Sequence, residues 1–120
     1  MAEISYVKTP GPGRSFHYVW TALGDDDTGQ LVHHAGAADM SFQVFGTFGG
    51  ATIVLQGSNQ LLTDTIDQFW TLTDQADNPL SFTSTNGEAV APLAATIRPS
   101  TSGGSGTAIT AILFLRSTMR

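Results

Sequence analysis

The chain has no cysteine and little charge: five Lys and Arg and ten Asp and Glu among 120 residues, 12% in all. The first absence excludes disulfides, thiolate nucleophiles and cysteine-ligated metals, so stability has to come from packing. The second leaves about half the charged fraction, roughly 25%, of ordinary soluble domains. Thr, Ser, Gln, Asn and Gly fill the polar positions instead. Such a surface suits a protein partly covered by neighbouring subunits, because monomers lean on interspersed charge for solubility. Cations are scarcest of all. Lys8, Arg14, Arg98, Arg116 and Arg120 are scattered, and the formal net charge is −5. Nucleic acid is therefore excluded as a partner, since phosphates need clustered Lys and Arg. No apolar run approaches the ~20 residues of a membrane helix, and the opening Met1-Ala2-Glu3-Ile4-Ser5 lacks a cationic segment followed by an apolar one. The expectation is a soluble product, made in the cytoplasm, with no membrane partner. The length allows one domain with a hydrophobic core and is too short for two ordinary ones.

What is present is period two. Phe16, Tyr18, Trp20 and Ala22 alternate with His17, Val19, Thr21 and Leu23, and Met40, Phe42, Val44, Gly46 and Phe48 alternate with Ser41, Gln43, Phe45 and Thr47. Each set reads as a strand. Gly49-Gly50 offers the positive φ values of a tight hairpin, which predicts that "MSFQVFGTF" and "ATIVLQGS" are antiparallel neighbours. Further strands are expected over 4–7, 31–33, 69–73, 80–83, 94–98 and 108–116, separated by turn chemistry in "GDDDTG", "DQADNP", "STNGE" and "PSTSGGSG". About eight antiparallel strands at this spacing make an all-β sandwich or barrel. The segment "NQLLTDTIDQFW" has rough helical spacing at Leu62, Ile66 and Phe69, but Thr63 and Thr65 lower the propensity, so it reads as a loop. Residues 1–14, broken by Pro10, Gly11, Pro12 and Gly13, read as an extended N-terminal arm leading into a domain over 15–120.

No catalytic constellation emerges. Asp25-Asp26-Asp27 lacks the alternating spacing and distant Glu of a calcium loop and reads as a solvated turn. His33-His34 would face opposite ways on a strand, and His17 is the only other histidine. Asp64 and Asp67 lie in a polar loop with no evident cause for a perturbed pKa. Nothing resembles a nucleophile elbow or a phosphate loop. The expectation is no enzyme, no metal and no cofactor. Trp20, Trp70, Phe69, Tyr6 and Tyr18 could make a sugar-stacking platform, which keeps a carbohydrate-binding module as an alternative, but both tryptophans sit among apolar neighbours and read as core.

Several stretches taken together resemble small structural proteins of tailed-phage virions: "WTAL" followed by "GDDDTG", then "DMSFQVFGTFGGATIVLQGSN", "WTLTD", "LSFT", "IRPS" and "TSGGSGTAIT". The resemblance covers most of the chain from Trp20 to Arg116 and includes capsid decoration, or cement, proteins with a jelly-roll-like fold. It implies a sandwich of jelly-roll type. It also implies a protein at the capsid surface of the virion that binds and stabilises the head shell, with the major capsid protein as partner. A homo-oligomer, dimer or trimer, fits that role; a tail or head-fibre component is the alternative within the same class. One departure stands out: such proteins commonly run from "GSN" through Asp-Gly to the tryptophan in a few residues, whereas residues 60–69 intervene here before Trp70.

The expected core comprises Phe42, Val44, Ile53, Leu55, Trp70, Leu72 and Leu113. In the last strand Ile109, Ala111, Leu113 and Leu115 form one face, while Ala108, Thr110, Ile112 and Phe114 form another nearly as apolar. An apolar second face has to be covered by a loop, an arm or another subunit. The same logic applies to Val54, in the run Ile53-Val54-Leu55. The expected protein-interaction residues are therefore Tyr6, Val7, Pro10 and Pro12 of the arm, with Val54, Ile112 and Phe114.

Overall fold

The computed structural model describes residues 2–33, 37–63, 65–91 and 94–117. Among them are twelve strands and no helix: β1 (Glu3–Ile4), β2 (Tyr6–Pro10), β3 (Ser15–Leu23), β4 (Thr28–Gly29), β5 (Val32–His33), β6 (Ala37–Thr47), β7 (Thr52–Ser58), β8 (Trp70–Thr71), β9 (Ser81–Phe82), β10 (Asn86–Ala89), β11 (Thr96–Ser102) and β12 (Ala108–Ser117). Five of the twelve are two residues long, short enough to be missed or merged when alternation is the only guide.

The strands form two sheets. One is antiparallel throughout, in the order β10-β6-β12-β3-β2. The other follows β1-β4-β11-β7-β8, with β5 also on β11 and β9 also on β7; β1 and β4 pair in parallel and its other pairs are antiparallel. Tyr18, Trp20, Phe42, Val44 and Leu113 of the first sheet share one core with Ile53, Leu55, Leu72 and Ile97 of the second. The result is an all-β, sandwich-like fold, as the strand spacing predicts.

The central position of β12 explains its two apolar faces. It lies between β6 and β3, so Ile109, Ala111, Leu113 and Leu115 enter the core while Ile112 and Phe114 lie half-buried on the outer face among cross-strand neighbours. Val54 is likewise half-buried, on the outer face of the other sheet, opposite Ser81 on one side and Ser100 on the other.

Three expectations are corrected. The Gly49-Gly50 turn, with φ of 59° and 86° and an Ala51 N–H donating to the Phe48 carbonyl at 2.9 Å, makes no hairpin. β6 pairs with β10 and β12, and β7 with β11, β8 and β9, so the turn is a corner that carries the chain from one sheet to the other. Trp70 is not core. It is 41% exposed, because β8 is a two-residue edge strand and the space over its partner Gly57 is already filled by Leu72 and Ala94. Much of residues 1–14 is sheet rather than arm: Tyr6–Pro10 pairs residue by residue with Phe16–Trp20 of β3, and the Tyr6 ring packs edge-on to Tyr18 and Trp20 at centroid distances of 5.0 and 6.0 Å.

At the tail of β3, Ile109 lies opposite Leu23 and Ala111 opposite Trp20. Two steps along β12 match three along β3, which is a bulge. It is accommodated at Ala22, whose φ is 60°, and it returns Leu23 to the core, fully buried, where strict alternation places it outside.

Candidate functional site

Two surface features stand apart from the rest of the molecule. The first is the loop between β7 and β8. Of the five exposed large hydrophobic residues among those described, Leu61 at 69% and Leu62 at 67% lie in this loop and Trp70 opens β8 directly after it. A loop that exposes leucines in water needs something to hold its shape, and Gln60 supplies it. Its Oε1 accepts the backbone N–H groups of Asp67 at 2.8 Å and Gln68 at 2.7 Å, while its Nε2 donates to the Thr65 carbonyl and to Asp67 Oδ1. At the loop's far end the Arg98 guanidinium lies 3.8 Å from the centroid of the Phe69 ring, and its Nε donates to Gln56 Oε1 at 3.1 Å. Burial lowers the Arg98 pKa from its ordinary value, partly opposed by the Glu3 carboxylate; arginine starts so high that the group stays a cation at working pH. The loop is held at both ends, and Leu61 and Leu62 stand exposed just after Gln60.

The second feature is a trough on the outer face of the five-stranded sheet, with a volume of about 540 Å³. Register explains its shape. One cross-strand row reads Ala89, Ser41, Phe114, His17, Thr9 and the next reads Gly87, Gln43, Ile112, Val19, Val7, each from β10 to β2. Gly87 and Ala89 on β10 with Ser41 and Gln43 on β6 make the floor, and Phe114, Ile112 and His17 on β12 and β3 make the wall. The His17 and Phe114 rings lie 4.9 Å apart, tilted by 53°. A second depression, lined by Pro12, Asp39, Ser41 and Phe114 among others, continues the trough to the exposed Arg116–Asp39 ion pair.

The sequence-predicted interaction residues separate in space. Val7, 65% exposed, Ile112 and Phe114 share the outer face of the five-stranded sheet, and Pro12 borders it. Val54 is on the opposite sheet, and Tyr6 turns toward Tyr18 and Trp20. Pro10 ends β2 opposite Phe16. Alternation does not mark Leu61 and Leu62 for interaction; the signal for them in the sequence is an adjacent pair of leucines inside a largely polar loop.

The aspartate turn is structural. Asp27 Oδ2 accepts the Gly24 N–H at 2.7 Å and Oδ1 the Ala2 N–H at 3.1 Å; Asp26 accepts from Gly103 and Asp25 from Thr107. The Asp25 and Asp26 bonds stitch the β3–β4 turn to the β11–β12 loop, and Asp27 closes the turn and ties it to Ala2. Among the described residues no three His, Asp or Glu side chains gather as a metal site would require. His33 is exposed, and His34 and Asp64 lie outside the described residues. Trp20, fully buried, is core and offers no stacking platform.

No protein-family model and no curated protein matches the chain. Among solved structures it is similar to the K1 cleaved adhesin domain of Lys-gingipain from Porphyromonas gingivalis, at 8% identity and a TM-score of 0.41, over 97% of this chain and 85% of that one. A likeness that distant assigns neither a family nor an activity.

Proposed function

We propose that the protein is a non-catalytic structural component of a phage virion, a decoration protein with a jelly-roll-type sandwich that binds the assembled head shell and stiffens it. The observation that carries the reading is the β7–β8 loop: its exposed leucines coincide with the stretch where the sequence departs from the virion proteins it resembles. A loop preorganised by Gln60 loses little entropy on docking, so more of its apolar contact appears as affinity. Low surface charge and the absence of a gathered ligand set or nucleophile–base pair in the sequence support adhesion rather than chemistry. The partner is the major capsid protein, and a symmetric dimer or trimer on local axes of the shell is the simplest arrangement.

The test is mass spectrometry of purified particles combined with binding to bare shells. The protein is expected in the particle, on the head, and Leu61→Ser/Leu62→Ser should weaken shell binding about tenfold or more while the melting temperature stays put. Absence from particles would overturn the reading, and a position on the tail or a head fibre would move the protein to that role.

A further inference from the structure

We infer that the trough on the outer face of the five-stranded sheet is a binding site for a neutral oligosaccharide. It is separate from the shell-binding loop, which leaves from the other sheet. Three observations lead there. Aromatic surface is available: Phe114 and His17 form a tilted pair along one wall, and the C–H face of a sugar ring packs against such a surface. Hydrogen-bonding groups are available beside it. The side chains of Ser41, Gln43 and His17 have no hydrogen-bond partner among the described residues, and hydroxyls of a saccharide can both donate to and accept from such groups. Charge is nearly missing. Glu88 borders it from the edge strand β10, and the other ionisable residues lining it, among those described, are His17 and the paired Asp39 and Arg116 at its far end. An anionic ligand would find no cation there that is not already taken.

Shape narrows the occupant further. The floor is two strands wide, roughly 10 Å, and the wall from Ile112 to Arg116 runs about 13 Å, a narrow open channel suited to a chain of sugars. An extended peptide fits poorly. Away from the outer edge of β10 the face presents side chains only, its backbone groups being spent in the ladders between β10, β6, β12 and β3, so a peptide lying along the wall of Ile112 and Phe114 would leave its own N–H and C=O groups without partners.

The experiment is an amide-resolved NMR titration of the intact protein with maltohexaose, cellohexaose and chitohexaose, and with hexagalacturonate as the anionic comparator. At least one neutral hexaose should shift the resonances of Ser41, Gln43, Gly87, Ala89 and Phe114 in a saturable way. Phe114→Ala should weaken that binding about tenfold, and Ser41→Leu, an exposed position that fills the floor, should abolish it with the fold unchanged. Trp70→Ala should have no effect. No shift with any neutral hexaose, shifts centred on Trp70, or equal or tighter binding of hexagalacturonate would each overturn the inference.

Discussion

The indole N–H of Trp20 donates to the backbone carbonyl of Gln30 at 3.2 Å. Trp20 belongs to the five-stranded sheet and Gln30 follows β4 of the other, so a polar bond joins the two layers beside an otherwise apolar core. Trp20→Phe keeps most of the ring and removes the donor. It should cost about 1–3 kcal/mol from the orphaned carbonyl alone, with a cavity contribution on top, read as a lowered urea midpoint at unchanged m. Native-like stability would show that the carbonyl finds water instead.

Two leucines provide an internal contrast. Leu55 is fully buried and Leu61 is exposed. Leu55→Ala should cost about 2–5 kcal/mol, and Leu61→Ala should stay within about 0.5 kcal/mol, both by chemical denaturation. A large effect at Leu61 would mean that the loop packs back onto the domain.

The aspartate turn yields a metal prediction. Three carboxylates are engaged by backbone N–H groups, so neither calcium nor a chelator should move the melting temperature. Asp27→Ala, by contrast, should cost about 1–2 kcal/mol, because two charge-assisted bonds are lost. Calcium raising the melting temperature by several degrees would restore the ion-binding reading.

Gly29 is tightly enclosed. A Cβ there would stand 2.6 Å from the Pro99 ring and 2.7 Å from Trp20 Nε1. Gly29→Ala should destabilise by about 1–3 kcal/mol through overpacking, whereas Gly87→Ala, with its nearest neighbour 3.7 Å away, should be tolerated. Thermal unfolding of the two variants checks the difference.

The N-terminal segment behaves as an integral strand, so removing residues 2–11 should destabilise the sandwich itself. Tyr6→Ala alone should cost about 1–3 kcal/mol, from lost ring contacts and burial. A truncated protein that melts like the full chain would return the segment to the status of a detachable arm.

How much of this was legible can be judged residue by residue. The bounds of β3 and the inward row Ile109, Ala111, Leu113 and Leu115 follow from alternation, because both elements are long enough for period two to show. Leu23 escapes because a bulge at Ala22 leaves no mark in an apolar sequence. Asn86-Gly87 reads as a turn and is the start of β10, since turn residues are also tolerated on an exposed edge. Trp70 has the same spacing to Leu72 that core partners have; only the filled space over Gly57 sends it outward. The trough was half visible. Phe114 and Ile112 mark its wall, but its floor depends on which strand is laid beside β6, and pairing is a long-range fact that period two does not encode.

The corner at Gly49-Gly50 also governs how the chain acquires its shape. Because β6 and β7 leave it for different sheets, the most hairpin-like stretch of the sequence yields no local ladder on which folding can begin. β12 must insert between β3 and β6, pairing Leu113 with Tyr18 and with Phe42, so the five-stranded sheet stays incomplete until residues 108–117 have left the ribosome. Folding dominated by such distant pairings proceeds in roughly milliseconds to seconds. Until that strand is made, β3 and β6 lack the neighbour through which they are joined in the finished sheet.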